Sequence, residues 1–359
     1  MASNQSLNKA KTAKEDEFYT RLEDIENEMR HYRKHFKGKT VLCNCDDPFE
    51  SNFFKYFVLN FNRLGLKKLV ATCYAGSSIA GTQLSLFDVI GDESKKNTPY
   101  KAIVTNVYDI TGDGGIDMFD VAALFKSGEN LLEELDGNGD FRSRECIELL
   151  DQADIVVTNP PFSLFREYID LLLSKKKSFI VLGSENNVTY KDIFPLLRDN
   201  QIWLGHNSGD MSFRVPDSYQ PRDTRFWIDE KGQKWRSFGN MVWFTNLDIK
   251  RRHESMILVK RFNADAYPRY ENYDAIDVSR IEDIPFDYAG VMGVPLTFMR
   301  THDPKQFRII GFGKGILAKE IGVSKNYRGR CDLAFRTESG KYKCPYGRIL
   351  VQNLQPETD

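Results

Sequence analysis

Residues 154–162 read Asp-Ile-Val-Val-Thr-Asn-Pro-Pro-Phe, and this stretch constrains the fold more than any other in the chain. Ile155 to Thr158 are apolar or β-branched throughout, as in a strand buried on both faces. Two prolines then end the strand, because neither donates to a ladder and the residue before a proline is pushed out of the helical region. Leu164, Phe165, Tyr168, Leu171 and Leu172 follow at helical spacing, and Ser178–Gly183 is a second apolar run. Strand, sharp turn, helix and strand together make the unit of a parallel, doubly wound sheet. The chain begins in the same way. Thr40–Cys45 predicts a strand that breaks at Asp46-Asp47-Pro48, Ser51–Leu64 a helix carrying Phe54, Phe57, Val58 and Phe61 on one face, and Lys68–Cys73 another strand. Before them, Phe18, Leu22, Ile25, Met29 and Tyr32 predict a one-sided helix over Glu15–Phe36, and residues 1–14 read as a flexible tail.

The alternation is interrupted over residues 75–150, a Gly- and Asp-rich stretch in which Ala102–Val107 suits a strand, and it ends near residue 205. Beyond that point short aromatic and charged segments suggest a separate β-rich α+β region. The expected organisation is therefore a tail (1–14), an α/β domain (15–205) with a loop-rich insertion (75–150), and a second region (206–359). Up to Ser184 there are 23 Lys and Arg against 28 Asp and Glu; from Glu185 onward there are 27 against 23. The mildly basic second half suits an anionic partner. No run approaches the roughly 18 apolar residues of a membrane span. The polar N-terminus lacks a signal-peptide core, and six scattered cysteines suggest reduced thiols, so a cytoplasmic protein is expected.

Asn159-Pro160-Pro161-Phe162 carries the chemistry. It follows a strand of an open sheet, where ligands bind off the carboxyl ends. The Asn159 side-chain oxygen and the Pro160 carbonyl can both accept from an exocyclic amine. Pro160 and Pro161 fix the backbone, and Phe162 can stack on the flat ring that bears the amine. The tetrapeptide alone fits a turn equally well; its flanking strand and helix favour a site.

Further strings carry a resemblance: Asp16-Glu17-Phe18-Tyr19-Thr20, Cys43-Asn44-Cys45-Asp46-Asp47-Pro48, Glu50 to Phe57, Gly139 to Ser143, Ala153 to Arg166 and Gly293 to Phe298. With Asn159 to Phe162 they resemble the EcoRI-type adenine-specific DNA methyltransferase family, over about residues 14–351. The resemblance implies a Rossmann-like, S-adenosylmethionine-dependent methyltransferase sheet followed by an α+β target-recognition region. It implies catalysis by Asn159, Pro160, Pro161 and Phe162, without a metal. Cofactor binding is implied for Phe18, Tyr19 and Thr20, for Asn44, Cys45, Asp46, Asp47, Pro48 and Phe49, and for Asp140 and Phe141. Two features depart from the wider methyltransferase pattern. Glu50-Ser51-Asn52 stands where Gly-x-Gly is usual, and Thr72-Cys73-Tyr74 offers no acid for ribose hydroxyls.

Two other patterns bear on function. Asp109, Thr111, Asp113, Gly114, Ile116, Asp117 and Asp120 match calcium-loop positions, but the last ligand is Asp rather than Glu and no clear helix precedes it. A solvated acidic loop is the alternative. Two basic clusters, Lys250 to His253 and Lys325 to Arg348, offer Arg251, Arg252, Lys325, Arg328, Arg330 and Lys343 to DNA phosphates, with Tyr327, Phe335, Tyr342 and Tyr346 between them. The sequence thus predicts a monomeric methyltransferase acting on adenine N6 of a flipped base in double-stranded DNA. A restriction endonuclease would be its functional, not physical, partner. Alternatives are an RNA-adenine or protein glutamine-amide methyltransferase on the same fold, and a non-catalytic DNA- or calcium-binding protein.

Overall fold

The computed structural model describes residues 18–45, 51–72, 99–217, 219–337 and 339–357; the tail 1–14 and Asp46, Asp47, Pro48 and Phe49 lie outside them. The chain forms two compact units, one of residues 1–184 and 207–247, the other of 185–206 and 248–359.

A ten-stranded sheet organises the first unit. Its strands are β1 (Tyr19–Thr20), β2 (Thr40–Cys43), β3 (Lys68–Thr72), β4 (Tyr100–Val104), β5 (Leu131–Glu134), β6 (Ile155–Thr158), β7 (Ser178–Ser184), β8 (Trp203–Arg214), β9 (Phe226–Ile228) and β10 (Lys234–Thr245). They run in the order β1-β8-β10-β7-β6-β2-β3-β4-β5, with β9 paired to β10. The central four, β7, β6, β2 and β3, are parallel. Val41, Leu42, Ile155, Val156, Val157, Ile180 and Val181 are all buried, which is why these strands read as unbroken apolar runs. The Asp154 carboxylate accepts from the Thr40 amide at 2.8 Å and sets β6 beside β2. The helices of this unit include α1 (Leu22–Met29), α2 (Asn52–Leu59), α3 (Met118–Lys126), α4 (Arg144–Gln152) and α5 (Phe165–Ser174). Ser51 caps α2 by accepting from the Phe53 amide.

Three expectations change. The helix expected over Glu15–Phe36 is replaced by β1, α1 and a short helical turn at Arg33–Phe36, because Tyr19 and Thr20 pair with Arg214 and Phe213 of β8. The described part of the 75–150 stretch is ordered into β4, β5, α3 and α4. The expected boundary at 205/206 falls inside β8. Residues 207–247 belong to the first unit, where β10 lies antiparallel along the edge of β7 from Met241↔Ser184 to Thr245↔Ile180.

The second unit contains β11 (Ile276–Asp277), β12 (Val291–Pro295), β13 (Phe307–Phe312), β14 (Phe335–Arg336), β15 (Tyr342–Lys343) and β16 (Arg348–Asn353). Four of them form a sheet in the order β11-β12-β16-β13, and β14 pairs with β15. A buried polar cluster ties this sheet to its surroundings. Asp277 accepts from the Tyr270 hydroxyl at 2.5 Å and from Arg348 Nε at 2.8 Å. A β-carbon at Gly293 would overlap the Tyr270 ring and hydroxyl, so the glycine lets the tyrosine reach its acid. No helix among the described residues is long and apolar enough to cross a membrane. The described cysteines, Cys43, Cys45, Cys146, Cys331 and Cys344, are free thiols.

Candidate active site

The order of the first sheet reverses beside β2. From β2 the chain proceeds outward through β3, β4 and β5, then returns to β6 on the other side of β2. Crevices at such reversals, off the carboxyl ends of the strands, hold the ligands of open α/β sheets. Here the two strand ends deliver Asn44 after β2 and Asn159 after β6, both buried.

Each asparagine has one satisfied amide atom and one orphan. The Asn159 Nδ2 group donates to the Phe18 carbonyl at 2.6 Å, while its Oδ1 is buried with no hydrogen-bond partner among the described residues. A buried acceptor left this way costs free energy on the order of 1–3 kcal/mol, so the pattern is that of a site awaiting a donor. Asn44 is the converse. Its Oδ1 accepts from the Tyr168 hydroxyl of α5 and lies 3.9 Å from the Cys45 thiol, and its Nδ2 is the buried orphan. The Thr20 hydroxyl is a third orphan. The Thr20 carbonyl, in contrast, accepts from Asn52 Nδ2 at 2.8 Å.

Aromatic rings surround the tetrapeptide. Phe162 stacks on Phe18 with centroids 5.1 Å apart at 26°, and Phe213 of β8 and Phe238 of β10 meet both rings edge-on. Pro161 accepts from the Leu164 amide, which starts the 3-10 turn leading into α5. Sequence reasoning missed Phe213, Phe238 and Tyr168. Phe213 and Phe238 lie in strand segments whose pairing with β1 and β7 leaves no local trace.

The Asp140-Phe141 pair joins the same crevice through α5. Phe141 packs edge-on against Tyr168, centroids 5.0 Å apart, and burial raises the Tyr168 phenol well above its ordinary value. Asp140 Oδ1 accepts from the Arg142 amide and Nε, and Oδ2 from the Arg142 terminal nitrogen. Those hydrogen bonds hold the Asp140 carboxyl below the usual range. A carboxylate has about four acceptor sites, so one on Oδ2 remains open.

The acidic loop is internally satisfied. Asp120 accepts from the amides of Ile110, Thr111 and Asp117 and from the Thr111 hydroxyl, forming a capping box with Asp117 at the start of α3. Asp109 accepts from the Gly112 and Gly114 amides. Among the described residues no group of acidic, His or Cys side chains could hold a metal. The two basic clusters of the second unit differ from each other. Arg251 donates to the His206 carbonyl, and Arg252 lies 3.6 Å over the Trp203 ring while donating to Asn200 at 2.8 Å. Burial lowers the Arg252 pKa; both guanidiniums hold their own turn in place. Arg348 is likewise committed to Asp277. Lys325, Arg328, Arg330 and Lys343 are exposed. Tyr327 and Tyr342 stack at 4.5 Å, Arg328 lies over Tyr327, and Lys343 over Phe335.

Comparison with known proteins gives the family. The family described as adenine-specific methyltransferase EcoRI matches residues 6–354. The Type II methyltransferase M.EcoRI of Escherichia coli is 43% identical over 357 residues, 98% of this chain and 97% of that protein. The Type II methyltransferase M.MpnI of Mycoplasma pneumoniae is 40% identical over 310 residues, 85% of this chain and 84% of its own. M.MgeORF184P of Mycoplasma genitalium, also a Type II methyltransferase, is 39% identical over 311 residues, 85% of each chain. No solved structure matches. With a family match across nearly its full length, the chain belongs to the EcoRI adenine-specific methyltransferase family.

Proposed function

We propose that this protein transfers the methyl group of S-adenosylmethionine to N6 of an adenine flipped out of double-stranded DNA. The observation that carries the reading is the Asn159 carboxamide, whose nitrogen is tied to Phe18 and whose buried oxygen has no partner among the described residues. That oxygen suits one hydrogen of an exocyclic amine, and the Pro160 carbonyl suits the other. Two acceptors on one amine concentrate electron density on nitrogen and orient its lone pair for attack. Phe162, already stacked on Phe18, offers its ring to the base. Inside a duplex the amine is not reachable, so the base must leave the stack at a cost of a few kcal/mol. Catalysis rests on orientation and fixed dipoles rather than on a covalent enzyme intermediate.

The crevice suits the cofactor. The Asn44 Nδ2 donor and the Thr20 hydroxyl are orphaned polar groups at strand ends, and Asp140 Oδ2 retains an acceptor site beside the Phe141 ring. We assign cofactor binding to these residues with Phe18, Tyr19, Cys45, Asp46, Asp47, Pro48 and Phe49. When bound, S-adenosylmethionine supplies a methyl group made electrophilic by its positively charged sulfur. The second unit is assigned target recognition, with Lys325, Arg328, Arg330 and Lys343 on phosphates. Arg251 and Arg252 contribute through folding of their turn. One protomer, acting in the cytoplasm, suffices to methylate one strand at a time, and a cognate endonuclease would be a partner in function only.

Incubation with radiolabelled S-adenosylmethionine and either genomic DNA, tRNA or bulk protein tests the substrate. Label in DNA as N6-methyladenine supports the reading. Label in tRNA or on glutamine amides overturns it, and failure to bind the cofactor in equilibrium dialysis would leave a non-catalytic DNA-binding protein.

A further inference from the structure

Arg236 of β10 stands beside the methyl-acceptor rings with half of its guanidinium unused. From β6, which delivers Asn159, the first sheet runs through β7 to β10 in one direction and through β2 to β3 in the other. β10 therefore lies on the side of Asn159 away from Asn44, the residue assigned above to the cofactor. β10 pairs with β7 from Met241 to Thr245, and Ser184 ends β7. Residues 234–240 thus run on past the carboxyl edge of the sheet, with β9 paired along Lys234 to Arg236. On this extension Phe238 meets the Phe18 and Phe162 rings edge-on, centroids 5.0 and 6.2 Å apart. Arg236 is two residues from Phe238 and so shares its face of the strand, with the guanidinium carbon 5.4 Å from the Phe238 centroid.

The bonding of this half-buried guanidinium is one-sided. Nη1 donates to the Thr224 carbonyl, which together with the Phe238 ring fixes the plane of the group. Nε is buried with no hydrogen-bond partner among the described residues, and Arg236 forms no ion pair among them. The edge left open is that of Nε and Nη2, whose N–H groups run parallel. This is the fork that takes two oxygens of a single anion. A buried donor without an acceptor costs free energy, more so on a charged group. Adenine does not fill such a fork, because its major-groove edge sets a donor, N6, beside the N7 acceptor. A phosphodiester offers two oxygens, and that of the target nucleotide arrives together with the base.

We propose that Arg236 clamps, through Nε and Nη2, a phosphodiester flanking the flipped adenosine. The proposal rests on the DNA-methyltransferase reading above and adds a phosphate contact in the first unit to those assigned to the second. Phe238 lies under the clamp and also walls the base site, so one strand holds both phosphate and base. Holding the backbone there offsets part of the cost of flipping.

Wild-type protein is first assayed for methylation of plasmid DNA, and the modified adenine is mapped by sequencing. Absence of DNA methylation overturns the underlying reading and the clamp with it. Short duplexes carrying that site are then made with a single neutral methylphosphonate, placed at either phosphate of the target adenosine or, as a control, near the duplex end. One of the two flanking substitutions should weaken wild-type binding about tenfold, the scale of one charge-assisted contact, and the control should not. Binding is also measured against salt for wild type, Arg236→Gln and Arg236→Lys, and equilibrium dialysis follows S-adenosylmethionine without DNA. Arg236→Gln should give a salt slope shallower by about 0.9, the value for one phosphate, with cofactor affinity within about twofold of wild type. It should also be indifferent to the methylphosphonate. Arg236→Lys keeps the charge but not the fork, so it should keep the slope and bind more weakly. If Arg236→Gln fails to fold, the methylphosphonate series on wild type carries the test alone. Equal binding of all the methylphosphonate duplexes overturns the proposal. An unchanged slope overturns it as well, giving the fork to a guanine edge if base preference relaxes and to the cofactor carboxylate if dialysis shows lost affinity.

Discussion

Asn159 Nδ2 donates to the Phe18 carbonyl at 2.6 Å, joining the strand end that carries Asn159-Pro160-Pro161-Phe162 to a residue 141 positions earlier. A carbonyl only accepts, so this bond fixes which way the Asn159 carboxamide points. The amide nitrogen faces Phe18, and the oxygen is left without a hydrogen-bond partner among the described residues, as the proposed contact to the substrate amine requires. The donor is a side chain but the acceptor is backbone, so the orientation depends on the path of β1 and not on the identity of residue 18.

Tyr168 holds the carboxamide of Asn44, a residue assigned above to the proposed cofactor site. Tyr168→Phe keeps the packing against Phe141 and removes the hydroxyl that holds Asn44 Oδ1. The expected outcome is a KM for S-adenosylmethionine raised about tenfold with kcat changed less, at a stability loss of about 1 kcal/mol. Steady-state kinetics with a fluorescence melt check both. An unchanged KM would contradict the role given to Asn44.

Removing the acid of the buried cluster in the second unit strands a charge. Asp277 is 1% exposed and Arg348 13%, so Asp277→Ala leaves a guanidinium buried without its partner. A loss of about 3–5 kcal/mol is expected in urea denaturation. A loss under about 1 kcal/mol would show that solvent reaches the site.

His302 gives the fold a pH dependence of known sign. Burial, with a smaller contribution from Arg252, holds its imidazole below the ordinary 6.5, against the opposing effects of the Phe307 carbonyl and Asp303. Below pH 6.5 the unfolded chain therefore binds more protons than the folded one, and stability falls as pH is lowered toward the folded value. The slope for this group has a ceiling of about 1.4 kcal/mol per pH unit. His302→Gln should flatten the curve of unfolding free energy over that window, and equal slopes would contradict the assignment.

Calcium should not stabilise the acidic loop, because the Asp109 and Asp120 carboxylates are filled by backbone donors. Melting temperatures in millimolar calcium and in chelator should coincide. A rise of several degrees with calcium would revive the metal reading of the 109–120 pattern.

The central sheet was legible in the sequence for a physical reason. β2, β6 and β7 are buried on both faces, so each is an apolar run bounded by turn residues, and Asn159 falls just past the end of one. β1 was not legible. A two-residue strand paired to β8 nearly 200 positions later leaves no periodicity, and Phe18 and Leu22 mimic a helical face. The return of residues 207–247 to the first unit was hidden similarly, since an alternating strand looks the same whichever sheet it joins. Charge alone does not sort the cations of the two basic clusters, since Arg251, Arg252 and Arg348 have partners within the fold. A basic cluster in sequence does not reveal which cations are occupied by Trp203, Asn200 or Asp277, whereas Lys325, Arg328, Arg330 and Lys343 stayed exposed.

The most direct test of the central claim compares single-turnover methyl transfer to DNA by wild type and Asn159→Ala, with duplex binding measured in parallel. The account predicts N6-methyladenine formation by wild type and a loss of about 10²–10³-fold in rate for the variant, about 2.7–4 kcal/mol, with DNA affinity kept within about threefold. Transfer by Asn159→Ala at the wild-type rate would contradict it.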